Sequence, residues 1–314
     1  MEIKYLGMLF LATLIVFTAG CNQETGPGRA DPFIGGTTGL TIEFIEGAPP
    51  KEVYDGGVFP FTAVLKIENI GETDVVSGDA SVKVSGIYAS DFGTTTTDLI
   101  QSTTEDLLGS QKNAEGGITE GGIIHLTFPS TGDFSYGDYL SGNMNFPFLA
   151  KLCYKYATKA DTKICIKENP LSDNKGVCEI KETKTVFNSG APVQIANFKE
   201  TARANDKIAF TFDVWHKGTG KLFEKYTTCE DTLTNKDKVY VSIDTGMDGL
   251  ECTGLTEGTA TSGYITLYDG KRAITCTQNV AGSSGDFEKV IEITLDYDYE
   301  QEISTNVLVK HAEG

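Results

Sequence analysis

Histidine is scarce in this chain: three occur in 314 residues, and His125, His216 and His311 stand far apart. That scarcity removes the commonest general base. Together with the lack of any Cys-x-x-Cys, it also argues against a zinc site. No Gly-x-Ser-x-Gly elbow, His-Glu-x-x-His helix or Ser-x-x-Lys frame stands in a suitable context, so the chain reads as a non-enzyme that needs no cofactor. Asn-x-Ser/Thr is missing too, and N-glycan attachment is not expected. Basic residues are few: 26 Lys and Arg face 44 Asp and Glu, a formal charge of −18, which opposes binding to nucleic acid or anionic lipid heads. The apolar run from Leu6 to Phe17 is about a dozen residues, short of the roughly 20 that span a bilayer as a helix. No stretch keeps a helical period.

What is present begins with an address. The apolar run leads into Val16-Phe17-Thr18-Ala19-Gly20-Cys21, a small-residue cleavage site ending on cysteine. This resembles the lipobox of prokaryotic lipoproteins, and the resemblance implies that residues 1–20 are a removed signal peptide and that the Cys21 thiol carries a lipid anchor. Secretion without a lipid is the alternative reading. From Cys21 to residue 38 the chain is mostly polar, with Gly and Pro, and reads as a flexible tether. Six cysteines remain of the seven: Cys153, Cys165, Cys178, Cys229, Cys252 and Cys276. An even number in an exported chain reads as disulfides.

Strand alternation dominates the rest. Phe61, Ala63, Leu65 and Ile67 are apolar while Thr62, Lys66 and Glu68 point the other way, the mark of a half-buried strand. Further strands are expected at 41–45, 80–87, 123–128, 148–156 and 162–167. A second series follows at 193–198, 207–215, 238–244, 263–268, 272–277, 290–299 and 305–310. Asp269-Gly270 supplies the positive φ angles of a type I′ hairpin turn. Residues 89–122 show weak periodicity and read as a surface excursion, with a short helical turn near 104–108. The polar joint Asn188-Ser189-Gly190-Ala191-Pro192 suggests a domain boundary.

The chain also repeats itself. Leu65 to Val75, with Asn69-x-Gly71, aligns with Phe212 to Leu222, with His216-x-Gly218-x-Gly220. Later, Leu152 to Tyr156 aligns with Leu295 to Tyr299, and Ile164-Cys165-Ile166 with Val307-Leu308-Val309 at the same offset. The expectation is an all-β chain of two tandem Ig-like antiparallel sandwiches, 39–188 with the insertion near 89–122, and 189–314. The paired tyrosines, Tyr154 with Tyr156 and Tyr297 with Tyr299, read as core packing rather than a sugar platform. Trp215, opposite Phe212 and Val214, reads as a core edge or an interface.

These motifs resemble the CARDB-type modules, Ig-like sandwiches of bacterial and archaeal surface proteins, here with His216 in place of the usual Asn. A lipid anchor followed by two such modules is similar to archaeal surface proteins. The resemblance implies an extracytoplasmic, membrane-anchored surface lipoprotein for adhesion, spacing or envelope assembly, with a surface protein or glycan as partner. Two other readings remain open: a ligand-binding lipoprotein, for sugar or for a transporter, and a filament subunit joined by strand exchange.

For the disulfides, a hairpin turning near Lys159 would join Cys153 to Cys165, with Cys165 to Cys178 as the alternative. Cys252 to Cys276 is expected in the second half, leaving Cys178 and Cys229 to pair or stay free. The acids Asp244, Asp248 and Glu251 resemble a calcium loop only in outline, because Gly246 holds the third position and Leu255 the twelfth. They read as a solvated loop, and Asp296, Asp298 and Glu300 as the wet face of a strand.

Overall fold

The alternation seen in the sequence becomes a two-faced strand wherever it occurs: in Ala63–Asn69 every second side chain is buried. The computed structural model describes residues 31–172 and 176–312. The signal segment, Cys21 and the tether as far as residue 30 lie outside the described residues. The described residues contain no α-helix, only one 3₁₀ turn, Ala89–Phe92, so the all-β class holds.

Six strands form the first repeat: β1 (Leu40–Phe44), β2 (Ala63–Asn69), β3 (Ala80–Ser85), β4 (Ile100–Ser102), β5 (Ile123–Phe128) and β6 (Met144–Ile166). Six equivalent strands form the second: β7 (Val193–Ala204), β8 (Lys207–His216), β9 (Lys238–Asp244), β10 (Ser262–Thr266), β11 (Lys271–Asn279) and β12 (Phe287–Lys310). Their neighbours match. One sheet runs β1-β2-β5, and its counterpart runs β7-β8-β11 with Leu250–Thr253 at the edge. Opposite both lies a single nine-stranded sheet whose main order is β10-β9-β12-β6-β3-β4.

The centre of that sheet departs from expectation. Strands expected separately at 148–156 and 162–167 are one strand of 23 residues, and those at 290–299 and 305–310 are one of 24. The stretch Tyr156-Ala157-Thr158-Lys159-Ala160-Asp161-Thr162 holds no Gly, Pro or Asn, and Asp161 alone is a weak signal for a reversal. The chain runs straight on. β6 and β12 then pair antiparallel without a register shift, from Ile166 opposite Phe287 to Met144 opposite Val309. Tyr154 faces Tyr299 and Tyr156 faces Tyr297, so an approximate two-fold axis passes between Lys155 and Asp298.

Each long strand therefore serves both lobes. The start of β6 pairs with β3 in the first lobe, while its end buries Ile164, Cys165 and Ile166 beside β12. The end of β12 returns to the first lobe, burying Val307 and Val309 and pairing with Glu52–Tyr54. Each such aliphatic side chain contributes roughly 1.5–3 kcal/mol when fully buried, and here that stabilisation crosses from one repeat to the other. Residues from Pro32 onward form one compact unit. The expected boundary at 188/189 is a hydrogen-bonded crossing: Ser189 N–H donates to Lys159 O (2.8 Å) and Asn188 bonds both backbone groups of Ile195.

The repeat survives at atomic detail. The Tyr156 hydroxyl meets Asn69 Oδ1 at 3.3 Å, and the Tyr299 hydroxyl meets His216 Nε2 at 3.0 Å. A Cβ on Gly71 would lie 2.0 Å from the Tyr156 hydroxyl, and one on Gly218 would lie 2.2 Å from that of Tyr299. Glycine occurs in both copies because the tyrosine hydroxyl occupies the space. All four tyrosines are core residues. Burial lowers the His216 pKa, which keeps the ring neutral beside its tyrosine.

Two local readings need correction. The 89–122 stretch is not only a surface excursion, because Phe92, Leu99 and Leu107 are buried in the first lobe's core. The helical turn sits at Ala89–Phe92, not at 104–108. The Asp269-Gly270 turn forms with both φ angles positive, yet its flanking strands diverge: β10 joins the large sheet and β11 the opposite one. A local turn signal fixes the reversal but not which sheet each arm enters.

Candidate functional site

The acids read as a wet strand face divide into different roles. Along β12, Ile293, Leu295, Tyr297 and Tyr299 point into the core, which puts Asp296 and Asp298 on the outer face. Asp298 is nonetheless buried, because residues 224–237 fold over it. Its carboxylate accepts the backbone N–H groups of Tyr226 (3.0 Å), Thr227 (2.8 Å) and Thr228 (2.7 Å). Burial raises its pKa, and those N–H groups oppose the rise.

The same loop is fixed by a covalent bond. Cys153 of the first repeat pairs with Cys229 of the second, and the other bridges are Cys165–Cys178 and Cys252–Cys276. The expected Cys153–Cys165 pairing is corrected: the two lie on one straight strand, twelve positions apart, roughly 40 Å at about 3.3 Å per residue. Cys178 and Cys229 accordingly take separate partners. Three disulfides indicate an oxidising, extracytoplasmic compartment.

Positive φ angles at Tyr226, Thr228 and Cys229 mark a backbone that is unfavourable for side-chain-bearing residues, at about 1–3 kcal/mol each. The carboxylate and the disulfide hold it there. The result is an outward ring: Tyr226 is 71% exposed. Lys155 lies 5.3 Å and Lys225 5.6 Å from its centroid. Both ammonium groups are ion-paired, Lys155 with Asp79 and Lys225 with Asp296 at 3.6 Å. Lys225 also sits 3.5 Å from the centroid of Tyr240, whose ring meets Tyr264 edge-on at 4.9 Å. Tyr264 is raised to about 12 by burial and by Glu224 and Glu257. Beside Tyr226 a cleft of about 190 Å³ opens at the junction of the repeats, lined by Asp74, Asp79, Lys155, Lys225 and Asp296.

A second concave region, about 610 Å³, runs between β7 and residues 181–186. Its chemistry is structural. Glu200, fully buried at its side chain, accepts the Cys165 N–H at 2.9 and 3.1 Å and lies 3.2 Å from Lys184 Nζ. Burial pushes Glu200 up to about 7, against the pull of the Cys165 N–H and Lys184. A carboxylate from the second repeat thus caps the end of the first repeat's long strand.

The calcium candidates do not converge. Asp244 Oδ1 accepts the N–H of Gly246 (2.6 Å), the Asp248 carbonyl accepts Gln278 Nε2 (2.7 Å), and Glu251 is exposed on the edge strand. Among the described residues no three His, Cys, Asp or Glu side chains are arranged to hold a metal, and no helix is long and apolar enough to cross a membrane. Tyr226 was not singled out by the sequence, since it sits in an aperiodic segment. The available signal was the length of that segment: residues 217–237 stand where the first repeat has only 70–79.

No protein-family model matches the chain, and no curated protein is similar to it. Among solved structures it shows a likeness to red sea bream transglutaminase, at 13% identity and a TM-score of 0.17 over 88% of this chain and 32% of that one. This chain therefore spans about a third of that enzyme's length. A serine-rich repeat adhesion glycoprotein from Streptococcus agalactiae gives 10% identity and a TM-score of 0.18 over 88% and 97%. Likenesses this faint carry no argument about this chain.

Proposed function

We propose that the protein is a surface lipoprotein, tethered by lipid on Cys21, whose interlocked sandwiches serve as a stiff adhesion or spacer module outside the membrane. The observation that carries this reading is the shared ladder of β6 and β12, reinforced across the repeats by Cys153–Cys229. A hinge between two beads would bend under load, whereas two continuous strands crossing the junction resist bending and pulling. The lipobox at Cys21 and the polar residues after it supply the anchor and the reach. Contacts are made by the loop of residues 224–237, an addition to an otherwise repeated plan.

Detergent phase partitioning of cells carrying wild type or Cys21→Ser tests the anchor. Wild type enters the detergent phase, and the variant leaves with the aqueous phase. Retention of the variant in membranes would remove the lipid from the account.

A further inference from the structure

We infer that the outer face of the shared sheet binds a neutral saccharide chain on the exposed ring of Tyr226, with the adjoining cleft taking one sugar unit. The inference rests on the surface-module reading and names the chemistry of its contact.

Three observations converge. Tyr240 and Tyr264 are paired across β9 and β10 and meet edge-on, Lys225 covers one face of Tyr240 and reaches towards Tyr226, and the exposed ring of Tyr226 is the open aromatic surface of the group. A pyranose ring has one face of C–H groups that lies flat on such an aromatic surface and an edge of hydroxyl groups that needs both donors and acceptors. The cleft supplies both, from Lys155 and Lys225 as donors and from Asp79 and Asp296 as acceptors. Each ammonium already has its carboxylate and the lining carries a third acid, Asp74, so the site offers no unpaired cation to an anion, and its mixed donors and acceptors suit a neutral, hydroxyl-rich ligand.

The third observation is the investment in presentation. At the two-fold axis the repeats have diverged, with Lys155 in one copy where the other has Asp298. Asp298 and the Cys153–Cys229 bridge hold a loop whose φ angles at Tyr226, Thr228 and Cys229 are positive. What this rigid assembly displays is one outward tyrosine. An exposed ring carried on a backbone already held in place binds without the cost of ordering its loop, which is the advantage of preorganisation.

The test uses the full chain in detergent, titrated with linear cello-, manno-, xylo- and chito-oligosaccharides and followed by saturation-transfer NMR and tyrosine fluorescence. At least one series binds with a Kd in the millimolar range or tighter. Tyr226→Ala weakens it about tenfold, while Tyr226→Phe retains it. Tyr268→Ala, which removes an exposed ring elsewhere, leaves it unchanged. Absence of binding by every series, or equal binding by Tyr226→Ala, overturns the saccharide site. Either result leaves the anchor to be judged separately by the Cys21→Ser partitioning.

Discussion

Replacing Glu200 with Gln separates one buried charge from the rest of the fold. Glu200 protonates at about 7 when folded, against 4.5 for an ordinary glutamate. A gap of that size corresponds to about 3 kcal/mol of stability. The sign follows from which state holds the proton. With the folded value raised, the contribution is fully present below pH 4.5 and is lost as the pH rises through about 7. Glutamine is neutral throughout and keeps an acceptor for the Cys165 N–H. Lys184 retains the Glu182 carboxylate at 2.8 Å and the Glu179 carbonyl at 3.0 Å, so the variant does not strand the ammonium. Urea unfolding of both proteins, disulfides intact, across pH 4.5 to 8 gives the assay. The stability difference should move in favour of Glu200→Gln by about 3 kcal/mol over that span. A difference that stays constant with pH would refute the claim that burial of this carboxyl opposes its ionisation.

Two further perturbations address the repeat and the loop. Gly71→Ala and Gly218→Ala should each destabilise by at least about 1–3 kcal/mol, because a methyl group would sit on the tyrosine hydroxyl in either copy. Thermal unfolding measures this, and a neutral effect at both positions would contradict the paired packing. Asp298→Asn turns one acceptor towards N–H groups as a donor and should cost about 2–4 kcal/mol, read as faster amide exchange at Tyr226, Thr227 and Thr228. Protection unchanged there would show that Cys153–Cys229 alone holds the loop.

Much of this architecture was legible because alternation is a local signal. Strands β1, β2, β3, β5, β8 and β9 lie where apolar and polar residues alternate, and the Asn69/His216 alignment located a real hydrogen bond to tyrosine in each copy. The continuity of β6 was not read from the sequence: a hairpin near Lys159 was expected, although Asp161 is the lone turn former from Tyr156 to Thr162. Long-range pairing left no such trace. Cys153 and Cys229 are 76 residues apart, joined by a loop whose path depends on Asp298, itself read as solvated because its neighbours in sequence alternate. Burial of that carboxylate is imposed by a segment with no periodicity of its own. Tyr226 was hidden for the same reason.

Strands β6 and β12 bind the repeats into one mechanical and cooperative body. Urea unfolding followed at once by Trp215 fluorescence in the second lobe and by NMR of Leu65, Ile67 and Val82 methyl groups in the first reports whether the two lobes lose structure together. Coincident transitions with one midpoint are predicted. Two separated transitions, with one lobe intact while the other is unfolded, would contradict it.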